Sequence, residues 1–181
     1  MDELFLLPSA PVAMPRAYWL KQFFLSSQLV VIEPSEKEYN RIEQAMINHE
    51  VSDYDMDILN NMYNDSCLVI PHRRYDMLTS EFRAKDHVNY LGSDKEIWSP
   101  REELENAKYV HFSDWPLPKP WITASETEKK KTQPDCGNGL GREECPELDI
   151  WLGLYENFTM RREVISIQKK NLSSGAKLTI W

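Results

Sequence analysis

The stretch Gln28-Leu29-Val30-Val31-Ile32, closed by Glu33-Pro34 and followed at once by Ser35-Glu36-Lys37-Glu38, decides the fold class. The run is nearly all apolar and is β-branched at Val30, Val31 and Ile32, which predicts a strand buried on both faces. Pro34 ends it, having no N–H to give to a sheet. Ser35 and Glu38 then form a capping box, after which Tyr39, Ile42, Met46 and Ile47 recur on one helical face. A strand that hands over to a helix is the α/β signature.

The pattern extends in both directions. Upstream, Pro8, Pro11 and Pro15 leave room for no more than a short strand at Val12 to Met14. Downstream, Ile58, Leu59, Met62 and Tyr63 predict a helix from Asp55 to Asn64, capped by Ser52 or Asp53. Cys67 to Ile70 reads as a short strand stopped by Pro71. Ser99, Pro100 and Glu102 signal a helix to Asn106, and Ala107 to Phe112 follows as a strand. Its alternation places Tyr109 and His111 on one side, with His111 at the carboxyl end, where α/β sheets hold ligands. Residues 122–145 are charged and glycine-bearing with scarcely an apolar side chain, which predicts a flexible loop. Its Gly137-Asn138-Gly139-Leu140-Gly141 lacks both the preceding strand and the following Lys-Ser/Thr of a phosphate loop. A last helix is expected from Pro146 to Ile167, with Ile150, Trp151, Leu154, Tyr155, Phe158 and Ile165 as its stripe. The domain reading is therefore one partial catalytic domain over 1–121, the loop at 122–145, a helix of the same domain at 146–167 and a tail at 168–181.

Composition limits the function classes. The 181 residues carry 29 Asp+Glu against 21 Lys+Arg, a formal charge of −8, so the basic face that phosphate neutralisation requires is missing and nucleic acid is not the expected partner. No run reaches the roughly 20 apolar residues that cross a bilayer. The segment from Met1 to Pro15 has neither a basic start nor an apolar core, so no secretory address is expected in the chain as written. Three cysteines, Cys67, Cys136 and Cys145, suggest one optional disulfide at most. Sequons begin at Asn64, Asn157 and Asn171, where ten Asn and about 11% Ser+Thr give about one by chance. They read either as a lumenal lineage or as unused matches.

Three constellations could carry chemistry. In His111-Phe112-Ser113-Asp114-Trp115-Pro116-Leu117-Pro118-Lys119-Pro120-Trp121, a strand-end histidine can ligate a metal while the proline-stiffened loop holds the Lys119 ammonium for phosphate oxygens. The alternative is a surface loop with a satisfied histidine. In Asp53-Tyr54-Asp55-Met56-Asp57, one acid could point into the cleft above the sheet, although clustered acids at a helix start are also favoured by the helix dipole alone. In Pro71-His72-Arg73-Arg74-Tyr75, the arginine pair could meet an anion or simply occupy a solvated turn.

Read together, Ser26-Ser27-Gln28-Leu29-Val30-Val31-Ile32, then Asp55-Met56-Asp57-Ile58-Leu59-Asn60, then His111-Phe112 and Lys119-Pro120-Trp121 resemble the carboxyl half of the glycogenin-like family 8 glycosyltransferases. The wording LPSAPVAMPRAYWL, IPHRRYDMLTSEFR and KYVHFSDWPLPKPW is closest to their fungal Golgi N-acetylglucosaminyltransferase branch, over about residues 1 to 160. The resemblance implies a GT-A fold, Mn²⁺ as cofactor, a UDP-sugar donor, a glycan acceptor, retention of anomeric configuration and a Golgi location. It implies metal ligation for His111, donor-diphosphate contact for Lys119 and a sugar-site acid, the catalytic candidate, for Asp55.

The sequence departs from the family pattern at several points. Met56 stands where the family has glutamine, Ser26 and Gln28 stand for an Asn and a Gly, and the His111 to Lys119 spacing is two residues longer than in glycogenin. No Asp-x-Asp precedes Leu4, so the expectation is an α/β acceptor-side portion of the fold without its nucleotide-binding half. Two readings follow. One is an incomplete hexosyl or GlcNAc transferase with negligible turnover on its own. The other is a non-catalytic remnant that associates through an exposed sheet edge.

Overall fold

The computed structural model describes residues 1–137 and 143–173, those at 164 and 166–173 as backbone alone. Helices and short strands are mixed along the described residues, which is consistent with the α/β reading. The chain divides into two compact units, Met1–Leu78 with Asp86–His111, and Thr79–Lys85 with Phe112–Trp181.

The first unit is built on strand β1, Val12–Pro15, which is buried along its whole length. Strand β2, Val31–Ile32, pairs antiparallel to it through Val12 with Ile32, and strand β3, Leu68–Ile70, pairs parallel through Ala13 with Leu68. Side-chain alternation sends Ala13 into a cluster with Leu4, Ile70 and Tyr75, and Val12 and Met14 into another with Leu25 and Tyr63. The strand buried on both faces is therefore β1 and not Gln28 to Ile32. That run contributes two paired residues at a sheet edge, with Ile32 exposed, because β1 has its two neighbours already and nothing among the described residues covers the outer side of β2.

Helix α1, Glu36–Ile47, begins as its capping box predicts, with Ser35 Oγ accepting from Glu38 N at 3.4 Å. Of its apolar stripe, Ile42 packs on the second cluster while Tyr39, Met46 and Ile47 stay exposed. Helix α2, Asp55–Tyr63, starts at Tyr54, whose N–H donates to Asp57 at 3.0 Å, rather than at Ser52 or Asp53. Glu38 ties the two helices, accepting from Arg41 at 2.6 Å and from Tyr63 OH at 2.9 Å. After β3 a single turn, α3 at His72–Tyr75, leads into β4, Met77–Leu78. Helices α4, Val88–Leu91, and α5, Pro100–Asn106, precede β5, Val110–His111, which lies parallel to β4 with Leu78 opposite His111. The predicted strand from Ala107 to Phe112 is thus two residues long. His72 of α3 stacks on Tyr18, and Tyr90 meets Tyr18 and Trp98 edge to face, while Arg73 bridges Glu96 at 2.7 Å and Glu103.

In the second unit, the segment expected to be a flexible loop at 122–145 contains helix α6, Glu126–Thr132. Ser125 and Glu128 cap each other, and acids in the first turn with lysines in the last complement the helix dipole. A disulfide joins Cys136 to Cys145, and Thr132, Pro134 and Cys145 are buried. Charge made this stretch look unable to order itself, but a local cap and a covalent closure do so with little apolar area. Gly139-Leu140-Gly141 lies outside the described residues. The final helix, α7 at Pro146–Ser173, runs past Ile167, with Ile150 and Trp151 buried and Ile165 exposed. The rest of the expected tail, 174–181, is also outside the described residues.

Candidate functional site

The candidate site belongs to the first unit and begins where the chain leaves β1. It turns and comes back so that Ala17 N donates to Phe24 O and Ser26 N to Pro15 O, both at 2.8 Å. Asn60, on the buried side of α2, fixes that return. Its Oδ1 accepts from Leu25 N at 2.7 Å while its Nδ2 donates to Leu25 O and Met56 O, each at 2.8 Å. Ser26 is consequently fully buried, and its hydroxyl accepts from Gln28 N at 3.3 Å.

Asp76 joins this segment from the end of α3. The α3 turn is followed by β4, and Met77 N donates to Tyr109 O at 3.2 Å, so Asp76 and Tyr109 stand side by side at the start of the parallel pair. Tyr109 OH donates to Gln28 O at 3.0 Å. Asp76 is 0% exposed, and neither of its carboxylate oxygens has a partner at normal hydrogen-bond geometry among the described residues. Gln28 Oε1 is likewise buried without one. Burial pushes the Asp76 carboxyl up to about 6, and the nearby Ser26 hydroxyl offsets only part of that. Burial and the Asp76 charge together raise the Tyr109 phenol.

Three buried acceptor oxygens without donors are unusual, because a buried polar group left unpaired costs about 1–3 kcal/mol. They lie in the interior of the first unit, Asp76 beside Ser26 and Tyr109.

The sequence candidates are distributed as follows. His111 is half-buried at the carboxyl end of β5 in the first unit. Asp55, also in the first unit, is exposed at the start of α2; the residues of α2 that reach inward are Asn60 and Tyr63. Lys119 belongs to the second unit. Its ammonium donates to Phe112 O, and burial lowers its pKa against the opposing pull of Asp114. Among the described residues no three His, Cys, Asp or Glu side chains group as a metal site.

Two carboxylates escaped the sequence reading. Asp76 sits inside IPHRRYDMLTSEFR, and its only local signal is a lone acid set directly before an apolar strand. Asp114, in the middle of the proline-rich loop, is the polar centre of the second unit. It accepts from Thr79 Oγ1 at 2.5 Å, Trp151 Nε1 and Tyr155 OH at 2.9 Å, and Arg83 at 3.1 Å. Those four donors fasten the loop to α7 and to the turn at Thr79–Arg83.

Comparison with known proteins gives a consistent set of relatives. The chain is 54% identical over 164 residues to glucose N-acetyltransferase 1 of Gibberella zeae, a match that covers 88% of this chain and 36% of that protein. It is 45% identical over 179 residues to the protein of the same name from Aspergillus fumigatus, covering 91% of this chain and 47% of the relative. The Saccharomyces cerevisiae protein of that name is 28% identical over 178 residues, covering 77% of this chain and 36% of the relative. The chain therefore spans less than half the length of the curated relatives it matches. No protein-family model and no solved structure matches it.

Proposed function

From the premise that this chain is homologous, over most of its own length, to part of the fungal proteins named glucose N-acetyltransferase 1, we propose that it is the carboxyl-side portion of a Golgi glycosyltransferase of GT-A fold. The transfer is that of GlcNAc or a related hexose from a UDP-sugar to a glycan. The chain's own part in it is recognition of the sugar. The single observation that carries this reading is the buried acceptor cluster of Asp76 and Gln28, placed beside the Ser26 to Ile32 motif on which the resemblance rests.

A pyranose suits that cluster because its hydroxyls are donors that can approach from different directions. Asp76 and Gln28 Oε1, both buried, would accept from them after local opening of the residues that cover them, and Tyr109, held by its bond to Gln28 O, keeps the glutamine backbone in place. Discrimination of this kind is strong, because a substrate lacking the matching hydroxyl leaves a buried acceptor unpaired. Lys119, in the second unit, is proposed on the family resemblance alone as a contact for a donor diphosphate.

Mn²⁺ is a separate matter. When bound in an intact transferase it would act as a Lewis acid on the diphosphate. The described residues do not fit a manganese site: His111 would offer a neutral nitrogen to a cation that prefers carboxylate oxygens, and no three His, Cys, Asp or Glu among them group as a metal site.

The test is titration of UDP-GlcNAc into the full chain followed by ligand-observed NMR saturation transfer. Transfer to the sugar protons that is lost in Asp76→Ala and in Gln28→Ala supports the reading. Transfer that is absent, or unchanged in both variants, overturns it.

A second reading is favoured by the sheet edges. Val69 on β3 is 48% exposed and Ile32 on β2 is 56% exposed, so both outer strands offer apolar residues and unpaired backbone to an association partner. A monomer by light scattering at high micromolar concentration counts against it.

A further inference from the structure

Resting on the Golgi reading above, we propose that Asn64 and Asn157 are N-glycan attachment sites. The sequon excess is not absorbed by the sugar-recognition reading, and the structure adds two independent facts to it. The first is the Cys136–Cys145 disulfide, a bond that persists where the compartment is oxidising and is rare where glutathione keeps thiols reduced.

The second is the placement of the two carboxamides. Asn64 follows the last residue of α2, and Asn64, Asp65 and Ser66 are all exposed in the turn that leads to β3. Asn157 lies on the outer side of α7. Phe158 turns inward onto Phe112 at 5.5 Å, whereas Asn157 and Thr159 are both exposed. One helical turn before Asn157 stands Gly153, which has no side chain to crowd a glycan, and one turn after it stands exposed Arg161. Neither carboxamide has a hydrogen bond to a described residue, so modification breaks no contact. Asn60 shows the contrast: it is buried, uses its amide in three hydrogen bonds and is not in a sequon.

The chemistry is a glycosyl transfer onto the amide nitrogen. Nδ2 attacks the anomeric carbon of a lipid-linked oligosaccharide diphosphate, the C1–O bond to phosphate breaks as the C1–N bond forms, and the amide proton leaves with the lipid diphosphate. The transferase reads the sequon on an extended chain before folding, so the helical state of Asn157 is no obstacle. What folding must provide is an outward-facing position for the finished glycan, and both residues have one.

The experiment expresses the full chain behind a cleavable secretory leader in a eukaryotic host. Cell extracts are treated with peptide N-glycosidase in heavy-oxygen water, and the peptides are mapped under non-reducing conditions. Conversion of Asn64 and Asn157 to labelled Asp is expected, with Cys136 and Cys145 in one cross-linked peptide pair. Asn64→Gln and Asn157→Gln should each remove one step of gel mobility shift, and peptide mapping separates both from Asn171. An unmodified carboxamide at either position, in chains whose disulfide has formed, overturns the assignment there. Free thiols at Cys136 and Cys145 in the lumen-directed chain overturn the disulfide and the support it gives.

Discussion

Asp114 Oδ2 accepts a hydrogen bond from Trp151 Nε1 at 2.9 Å in a place where the carboxylate is almost wholly buried and the indole is 1% exposed. The bond matters because the same oxygen also serves Tyr155 and Thr79, and Arg83 balances the charge. Removing the carboxylate leaves four donors without an acceptor. Asp114→Ala is therefore expected to destabilise the second unit by about 3 kcal/mol or more, and Asp114→Asn by less, because the amide keeps one acceptor oxygen. Urea unfolding followed by the fluorescence of the buried tryptophan measures it. A change within 0.5 kcal/mol would show that the hub does not hold the loop.

Asn60 performs the corresponding task in the first unit. With its side chain truncated, Leu25 N and O and Met56 O lose their partner in a buried setting. Asn60→Ala is expected to lower stability by about 3 kcal/mol and to raise hydrogen exchange at the Leu25 and Ser26 amides. Exchange unchanged at those two amides would show that the return strand is fixed by something else.

Both residues illustrate what the sequence does and does not carry. Local signals transferred well: the Ser35 and Glu38 cap begins α1, Pro100 opens α5, and the 3.6-residue stripe around Ile150 and Trp151 is the buried side of α7. Long-range choices did not. Val12 to Pro15 became the central strand because two partners converge on it from 16 and 53 or more residues away in sequence, a fact that no window of local hydrophobicity contains. Helix α6 was obscured for the reverse reason, since its order comes from reciprocal caps and charge placement rather than from an apolar face. Asp76 and Asp114 look alike in the sequence, and only tertiary burial makes one an unpaired acceptor and the other a saturated hub.

The unpaired acid has a pH signature. In the folded chain Asp76 holds its proton up to a pKa of about 6, whereas an unfolded aspartate releases it near ~3.9. Between those values the folded state binds more protons, so the Asp76 contribution to stability falls as pH rises through the window and stays unfavourable above it. Asp76→Asn should remove that penalty, giving a variant more stable than the parent at pH 7.5 by on the order of 3 kcal/mol and nearly equal to it at pH 4. Denaturant midpoints across that range decide the matter. A variant equally or less stable at pH 7.5 would mean that the carboxylate has a partner after all. The same substitution is expected to weaken sugar binding, a gain in stability at the expense of function that marks residues held ready for a ligand.

His111 supplies the last prediction, which concerns metal. A neutral imidazole is a poor match for Mn²⁺, which prefers carboxylate oxygens, and among the described residues no three His, Cys, Asp or Glu side chains group as a metal site. Titration of Mn²⁺ into the full chain, followed by electron paramagnetic resonance of the free ion, is expected to show no saturable site in the micromolar range and no difference between the parent and His111→Ala. UDP-GlcNAc hydrolysis in the presence of Mn²⁺ is expected to stay at the buffer rate. A saturable site that disappears in His111→Ala would reverse this conclusion, because the remaining ligands would then have to come from a rearrangement of the chain or from a second copy of it.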